Sequence, residues 1–281
     1  MTIQQLLSPF RRAIDEYGMI EKGDKIAIGL SGGKDSLLLV YLFSALKKFY
    51  PKKFDVIAIT IDMGFKDTDQ SKIDGLRVEC EKSEIPFILE KTEIGEILFD
   101  IRKESNPCSL CSKLRRGALN TIALANGCNK LALGHHADDL NETFLLSMFY
   151  EGRLSTFQPI TYLSRTAITV IRPMIFIEEK NIIAFMKDKP ILKNVCPADK
   201  HTQRQFVKDL LRSVQEEIPF VKERIHGALT HPERNNLPPE MKHIKRGKGQ
   251  KVKPQTDDAQ NENGQSSDGQ GNNQTHKTEN D

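Results

Sequence analysis

The chain has 281 residues, of which 38% are hydrophobic and 28% charged, so it can bury one large core or two small ones. Its 41 lysines and arginines against 38 acidic residues leave a net charge of +3, which excludes nucleic-acid binding through bulk charge and requires a local basic patch instead. No apolar run approaches the roughly 20 residues needed to cross a bilayer, and the first ten residues lack the pattern of a secretion signal. We therefore expect a cytosolic protein whose five cysteines are reduced.

The chain divides by composition into a long folded part and a polar tail. Lys245–Asp281 contains only two residues of the hydrophobic class, Val252 and Ala259, and cannot bury a core. We predict an N-terminal helix within residues 1–22, a main domain over 23–177, a helical C-terminal part over 178–238 and a disordered tail over 239–281. The basic start of the tail, Lys242–Lys253, is a solvated linker or, alternatively, an arm that contacts RNA.

Short apolar runs alternate with longer segments of helical period through the folded part. The predicted strands are Lys25–Leu30, Phe54–Ile61, Pro86–Leu89 and Lys130–Gly134. The predicted helices are Ser36–Phe49, Ser71–Ser83, Leu114–Ala125, Asp138–Tyr150, Thr202–Glu217 and Phe220–Leu229. This alternation predicts the α/β class, a doubly wound parallel sheet with helices on both faces and a small helical C-terminal cap. Ligands of such sheets bind at the carboxyl ends of the strands.

The first predicted strand runs directly into the sequence SGGKDS, Ser31–Ser36, which opens a helix. A glycine pair at a strand-to-helix turn lets backbone N–H groups approach phosphate oxygens, and the helix N-terminus adds a favourable dipole. Lys34 supplies a positive charge. The pattern differs from Walker A, which has Ser or Thr directly after the lysine, whereas Asp35 stands there. The sequence therefore predicts a phosphate-binding loop of another type.

A second motif, GHHADD, follows the strand that begins at Lys130 and also opens a helix. Adjacent carboxylates beside a phosphate site suit Mg²⁺, so Asp138 and Asp139 are candidate ligands. Taken alone, they are equally explained as a helix cap and a first-turn acid. The roles of His135 and His136 stay open between a loop histidine and a phosphate or base contact.

Three of the five cysteines are candidate metal ligands. Cys108 and Cys111 form a CxxC pair, and Cys196 stands alone. In a reduced chain, such a pair favours metal binding over a disulfide. Zinc would need a histidine such as His201 as a fourth ligand, and an iron–sulfur cluster usually takes four thiolates, so three would leave one iron open. Cys80 and Cys128 are interpreted as packing residues.

The loop SGGKDS resembles that of the PP-loop ATP pyrophosphatases, which cleave ATP between the α and β phosphates. Together with PCSLCSKLRRG and LALGHHADDLNETFLLSMFYEGRL, it resembles the tRNA 2-thiocytidine synthetase (TtcA) family over roughly Gly23 to Leu229. The second part of the cysteine pattern departs from that family, because NVCPADKHTQRQ holds one cysteine where a further CxxC-like stretch is expected.

The resemblance implies a set of site residues. ATP binding falls to Leu30, Ser31, Gly32, Gly33, Lys34, Asp35, Ser36, Gly134 and Asp139, with adenine near Thr60, Ile61 and Asp62. A [4Fe–4S] cluster would be held by Cys108, Cys111 and Cys196. Catalytic roles fall to Lys34, Arg115, Asp138 and Asp139, with Mg²⁺ on the two aspartates. Arg115 and Arg116 are expected to contact tRNA or phosphate. Apart from the resemblance, Arg204 is a candidate for a tRNA-facing surface, although a solvated charge explains it at least as well.

The resulting hypothesis is an ATP-, Mg²⁺- and [4Fe–4S]-dependent tRNA sulfurtransferase that replaces the 2-carbonyl oxygen of an anticodon-loop cytidine with sulfur. A sulfur donor such as a cysteine desulfurase and a homodimer are expected from the resemblance. Three alternatives stay open: a tRNA 2-thiouridine synthetase, a cluster-free amide or lysidine-type ligase, and a nucleotide-binding module without enzymatic activity.

Overall fold

A computed structural model describes residues 1–65, 69–102, 107–189, 191 and 203–237, without the side chains of residues 100, 107 and 108. The chain forms one compact unit over Met1–Asn235, and the rest, Asn236–Asp281, counts as a second unit, described only at its first two residues. The predicted polar tail over 239–281 therefore lies outside the described residues. In the described part of the chain, no helix is long and apolar enough to span a membrane.

The described residues contain six strands. They are β1 (Lys25–Gly29), β2 (Asp55–Asp62), β3 (Phe87–Lys91), β4 (Lys130–Ala132), β5 (Ile160–Leu163) and β6 (Ile168–Ile171). They form one sheet in the order β3-β2-β1-β4-β6-β5, in which every neighbouring pair is parallel except β5 with β6. The predicted parallel α/β sheet is confirmed, and two strands without a prediction extend it at one edge, β6 parallel to β4 and β5 antiparallel to β6.

The helices are α1 (Ile3–Glu16), α2 (Lys34–Lys47), α3 (Gln70–Lys82), α4 (Ile94–Glu96), α5 (Pro107–Ala125), α6 (Ala137–Glu151), α7 (Glu179–Met186), α8 (Gln203–Glu217) and α9 (Val221–Thr230). A π-helical turn, Ile97–Ile101, follows α4, and a 3₁₀ turn, Pro232–Arg234, follows α9. Helix α5 begins seven residues before the predicted Leu114, so both cysteines of the CxxC pair lie inside it. The other predicted helices and strands are confirmed within two residues at each end.

Helices cover both faces of the sheet, as the burial of three successive residues of β1 shows. Ile26 and Ile28 pack into a large cluster with residues of α1, α2 and α7. Ala27, between them, packs on the opposite face into a smaller cluster with Leu119 of α5. Because successive side chains of a strand point to opposite faces, one short apolar strand supports both layers.

The strand order places a natural ligand site between β1 and β4. From β1 the chain proceeds outward to β2 and β3, and β4 then pairs with the other side of β1. Ligands of open α/β sheets bind in the crevice at such a point, beyond the carboxyl ends of the strands. SGGKDS follows β1 and GHHADD follows β4, so both motifs lie at this crevice.

Candidate active site

The phosphate loop is held in shape by Ser36. Its hydroxyl donates to the carbonyl of Gly33 at 3.0 Å and accepts from the N–H of Ser31 at 3.1 Å. Gly32 has a φ of +84°, a left-handed conformation that glycine adopts without strain. Helix α2 begins at Lys34, so the first backbone N–H groups of the helix point out of its end at the loop. This arrangement fits an anion such as phosphate.

The second motif contacts the phosphate loop through Gly134. A Cβ atom at this glycine would lie 3.0 Å from the carbonyl carbon of Asp35 and 3.1 Å from the nitrogen of Ser36. Both neighbours are backbone atoms and cannot move as a flexible side chain does. A side chain at this position would force the backbone to shift by a few tenths of an ångström, so the structure brings the two predicted nucleotide motifs into direct contact.

Lys34 is part of a chain of charges that reaches the C-terminal helices. Its ammonium lies 3.0 Å from Asp35 and 3.1 Å from Glu179, and Glu179 also binds Lys208 of α8. Burial alone would raise the pKa of Glu179, but hydrogen bonds from Lys208 and Lys34 outweigh it and lower the pKa to about 2. Burial disfavours the Lys34 ammonium, yet Asp35 and Glu179 raise its pKa. Lys34 and Glu179 are therefore both charged at neutral pH.

The carboxylate of Asp138 is buried and fully engaged by the protein. One oxygen accepts from the backbone N–H of Glu179 at 2.7 Å, and the other lies 3.0 Å from the ammonium of Lys222 on α9. Burial opposes ionisation, but these bonds outweigh it and lower the pKa of Asp138. Asp138 thus joins α6 to the start of α7 and to α9.

Asp139 is the more accessible of the two predicted magnesium ligands. One of its oxygens accepts from the N–H of His136 at 3.1 Å, which caps α6, and the other lies 3.5 Å from Arg204. Arg204 makes a shorter contact of 3.0 Å with Glu142 one turn later. Burial and the negative charge of the neighbouring Asp139 raise the pKa of Glu142, although the pairing with Arg204 acts in the opposite direction. The predicted tRNA contact Arg204 therefore lies against the carboxylates of the second motif.

The predicted adenine residues lie at the same edge of the sheet. The buried hydroxyl of Thr60 donates to the carbonyl of Leu30 at 2.8 Å, which ties the end of β2 to the start of the phosphate loop. Asp62 accepts the N–H of Gly64 at 3.0 Å, and Ile61 between them is half-buried. The structure thus brings Thr60 to the start of the phosphate loop, and Ile61 and Asp62 follow it at the end of β2; their contact with adenine stays a prediction.

Helix α5 carries the CxxC pair toward the same edge. Leu119 of α5 packs against Gly29, the last residue of β1. A Cβ atom added to Gly29 would lie only 3.0 Å from the methyl Cδ2 of Leu119. Cys111 is eight residues before Leu119, which places it about 12 Å beyond that contact along the helix. Because α5 leads into the start of β4, its N-terminal end points toward the carboxyl edge of the sheet.

The described cysteines separate into two kinds. Cys80 and Cys128 are buried, and burial raises the pKa of each, to about 12 for Cys80, as expected of packing residues. Cys111 is half-buried in the first turns of α5 and is in no disulfide. The side chain of Cys108 and all of Cys196 lie outside the described residues. Among the residues that are described, no three His, Cys, Asp or Glu side chains form a group that could hold a metal ion.

The other predicted arginines are exposed on the cysteine helix. Arg115 and Arg116 face solvent. Arg116 is close enough to Arg172, which follows β6, for the two positive charges to repel each other. Burial, with this neighbouring charge, lowers the pKa of Arg172 to about 10. His135 lies near the same strand end, with its ring centroid 5.0 Å from that of Phe157, and burial lowers its pKa to about 4. His135 is therefore neutral in the cell.

Sequence reasoning missed two residues of the site, Glu179 and Lys222. Glu179 lies far along the chain from its partner Lys34, and Lys222 lies far from its partner Asp138. Neither residue belongs to a local motif. Glu179 at the first position of α7 could be noticed only as an acid that opens a helix. Long-range pairs of this kind have no signal in a single sequence.

Known proteins resemble this chain in sequence and in structure. A family model described as the PP-loop domain matches residues 3–216. The tRNA-cytidine(32) 2-sulfurtransferase of Geobacter metallireducens is 37% identical over 231 residues, covering 80% of this chain and 89% of that protein. The protein of the same name from Geotalea daltonii is 38% identical over 233 residues, covering 80% and 90%.

A solved structure of the U34-tRNA thiolase NcsA from Methanococcus maripaludis, with its [4Fe–4S] cluster, is also similar. The TM-score is 0.66 at 26% identity, and the match covers 81% of this chain and 78% of that one. The relatives match nearly their whole length, and the family resemblance inferred from the motifs is confirmed. The chain belongs to the PP-loop ATP pyrophosphatases and, among them, to the tRNA-cytidine 2-sulfurtransferase (TtcA) family.

Proposed function

We propose that this protein is an ATP-dependent tRNA sulfurtransferase that replaces the 2-carbonyl oxygen of a tRNA cytidine, at position 32 as in its relatives' names, with sulfur. One observation carries the proposal: the two nucleotide motifs of the family meet at Gly134 in a chain 37% identical to such enzymes over 80% of its length. The identity to the cytidine enzymes exceeds the 26% identity to the U34 thiolase, which favours cytidine over uridine.

The reaction needs an activated carbonyl oxygen. The pyrimidine oxygen attacks the α-phosphorus of ATP and pyrophosphate leaves, after which sulfur adds at C2 and AMP departs with the former carbonyl oxygen. The protein must hold the triphosphate while negative charge moves onto pyrophosphate. The N–H groups that open α2 and the ammonium of Lys34 are suited to this task. The target base must leave its stack, which favours a single-stranded loop.

Asp139 is the better candidate for Mg²⁺. Both oxygens of Asp138 are already bonded to Lys222 and to a backbone N–H, whereas Asp139 is about a quarter exposed and caps α6 with a single oxygen. Mg²⁺ commonly takes only one or two protein carboxylates and completes its shell with phosphate oxygens and water. We therefore assign Mg²⁺ binding to Asp139 and a positioning role to Asp138, because Asp138 orients the helix that carries its neighbour.

Thiolates are the usual protein ligands of iron–sulfur clusters, and the CxxC pair is suitably placed in the chain. Cys108 and Cys111 belong to the first turns of α5, where the helix dipole favours the negative charge of a thiolate, at the edge of the sheet that carries the phosphate loop. We propose Cys108, Cys111 and Cys196 as the ligands of a [4Fe–4S] cluster. When bound, such a cluster supplies an iron with a coordination position open to sulfide. Arg115 and Arg116, exposed on the same helix, are proposed to bind the tRNA backbone.

Analysis of the modified nucleosides in total tRNA tests this function. A strain that lacks the gene should lose 2-thiocytidine, and a plasmid with the wild-type gene should restore it, as measured by mass spectrometry. Loss of 2-thiouridine with unchanged 2-thiocytidine would overturn the cytidine assignment in favour of a uridine thiolase. Unchanged 2-thiocytidine in the deletion strain, with tRNA-dependent ATP cleavage that Cys111→Ala retains, would point to a cluster-free ligase instead. Pyrophosphate release that depends on added tRNA would exclude a module that only binds nucleotide.

A sulfur donor such as a cysteine desulfurase, a cytosolic location and a homodimer complete the proposal. They follow from the family and from the reduced state expected of the cysteines. Thiolation by the purified protein should require either free sulfide or a desulfurase with cysteine. Light scattering of the purified chain reports the oligomeric state.

A further inference from the structure

The carboxylate of Glu179 lies between two lysines from distant parts of the chain. Its Oε1 is 3.1 Å from the ammonium of Lys34 in the phosphate loop and 2.9 Å from that of Lys208 on α8, and its Oε2 is 2.6 Å from Lys208. The side chain of Glu179 is only 14% exposed. Because both ammonium groups bind one oxygen, they lie within about 6 Å of each other, a distance at which like charges repel unless an anion lies between them.

The position of Glu179 is fixed by its backbone rather than by these ion pairs. Its N–H donates to the buried carboxylate of Asp138 at 2.7 Å, and Asp138 is held in turn by Lys222. The start of α7 is thereby tied to the second nucleotide motif. The side chain is presented to the phosphate loop as a consequence of the fold.

The charges here balance without a nucleotide. The two cations, Lys34 and Lys208, face two carboxylates, Asp35 and Glu179. A phosphate that approaches Lys34 meets the carboxylate of Glu179 beside the ammonium it needs, and the two anions repel. If Glu179 turns aside, both ammonium groups are left without their shared anion, and a phosphate oxygen satisfies both.

We infer that Glu179 occupies the place of an ATP phosphate group in the nucleotide-free protein, and that Lys208 is a second phosphate-binding cation supplied by the C-terminal helices. This inference rests on the proposed ATP-dependent function. It makes nucleotide binding an exchange of one anion for another between the same two lysines. If the phosphate replaces Glu179 in this way, removing the carboxylate of Glu179 should strengthen nucleotide binding. Removing the ammonium of Lys208 should weaken it.

Binding of α,β-methylene ATP with Mg²⁺, measured by calorimetry on the full chain without tRNA, tests the exchange. Lys208→Met should weaken binding about tenfold, the loss expected for one charge-assisted contact at a partly exposed site. Glu179→Gln keeps the shape and the backbone N–H, and should tighten binding about three- to tenfold by removing a competing charge. Arg212→Met is the matched control, because Arg212 is an exposed cation on α8 that pairs only with Asp209 among the described residues, and it should bind within about twofold of wild type.

A second measurement separates exchange from a purely structural role. Without nucleotide, Glu179→Gln should lower the melting temperature, since the two lysines then repel, although the same variant binds nucleotide more tightly. A structural bridge alone would make both properties worse. Equal or weaker nucleotide binding by Glu179→Gln would overturn the inference, as would equal binding by the Lys208 and Arg212 variants. If Lys208→Met does not fold, Glu179→Gln decides alone.

The same experiment distinguishes this inference from the function on which it rests. A wild-type protein that binds no analogue would refute the proposed ATP dependence. A wild-type protein that binds the analogue, with variants that do not differ as expected, would refute only the exchange.

Discussion

Replacing Gly134 with alanine should damage the nucleotide site without preventing folding. The added Cβ would lie 3.0 to 3.2 Å from three backbone atoms of Asp35 and Ser36, closer than a normal van der Waals contact by a few tenths of an ångström. The start of α2 must therefore move away from β4. Overpacking of this kind costs about 1–3 kcal/mol of the free energy of unfolding, and a cost near 2 kcal/mol lowers the melting temperature by about 4–8 °C in a domain of this size.

The displacement also moves the N–H groups that would bind phosphate. We expect the affinity for α,β-methylene ATP to fall about tenfold, since small misplacements in a preorganised site are costly. Gly117→Ala is the matched control: it lies in α5 with no atom within 4 Å of the new Cβ, and alanine should stabilise the helix by about 0.5–1 kcal/mol. Calorimetry measures both quantities. If Gly134→Ala matches Gly117→Ala in melting temperature and affinity, the contact between the two motifs is not the constraint described here.

Three further predictions concern the cysteines, the aspartates and acid stability. Cys111→Ala should abolish bound iron and thiolation, whereas Cys80→Ala, in the core, should keep its iron and lose about 1 kcal/mol of stability. Asp138→Asn should cost about 2–3 kcal/mol, because it breaks the buried pair with Lys222, whereas Asp139→Asn should cost less than about 1 kcal/mol and weaken Mg²⁺ dependence instead. The pKa of Glu179 is about 2 in the folded chain against 4.5 ordinarily, so its ion pairs stabilise the fold fully above pH 4.5 and lose that effect as the pH falls toward 2. Allowing for solvent screening, the free energy of unfolding should fall by about 2 kcal/mol as Glu179 is protonated. Urea titrations from pH 6 to 2.5 should show this fall for the wild type and not for Glu179→Gln.

Each of these has a contrary outcome. An iron-loaded Cys111→Ala protein would remove this residue from the proposed cluster ligands. An Asp139→Asn variant that is much less stable than Asp138→Asn would reverse the two roles. Equal acid sensitivity of wild type and Glu179→Gln would show that the carboxylate is not held by its lysines in solution.

The sequence predicted the parts of the site that are local. The phosphate loop is a strand, a glycine turn and a helix in succession, so the stretch from Lys25 to Lys47 contains the whole signal. The second motif follows the same plan after β4. Placing both on a parallel sheet was enough to predict that they meet, because the carboxyl ends of parallel strands share one edge.

Features that depend on distant or short segments were not predicted. β5 and β6 have four residues each, although the run Ile-Thr-Val-Ile at Ile168–Ile171 is β-branched throughout and favours a strand. The apolar period indicates a helix only from Leu114 onward, so it places the CxxC pair before the helix rather than inside it. Glu179 and Lys222 act through partners far away in the chain, and no spacing rule connects them.

The cations of α8 and α9 also bear on the order in which the protein is made. Arg204 and Lys222 neutralise Glu142 and Asp138, which are synthesised long before them. During translation, a chain that has emerged only as far as α7 carries Glu142 and Asp138 without these partners, and buried carboxylates without partners are costly. These two carboxylates are therefore fully paired only when α8 and α9 have left the ribosome, so we expect this side of the site to finish folding after the rest.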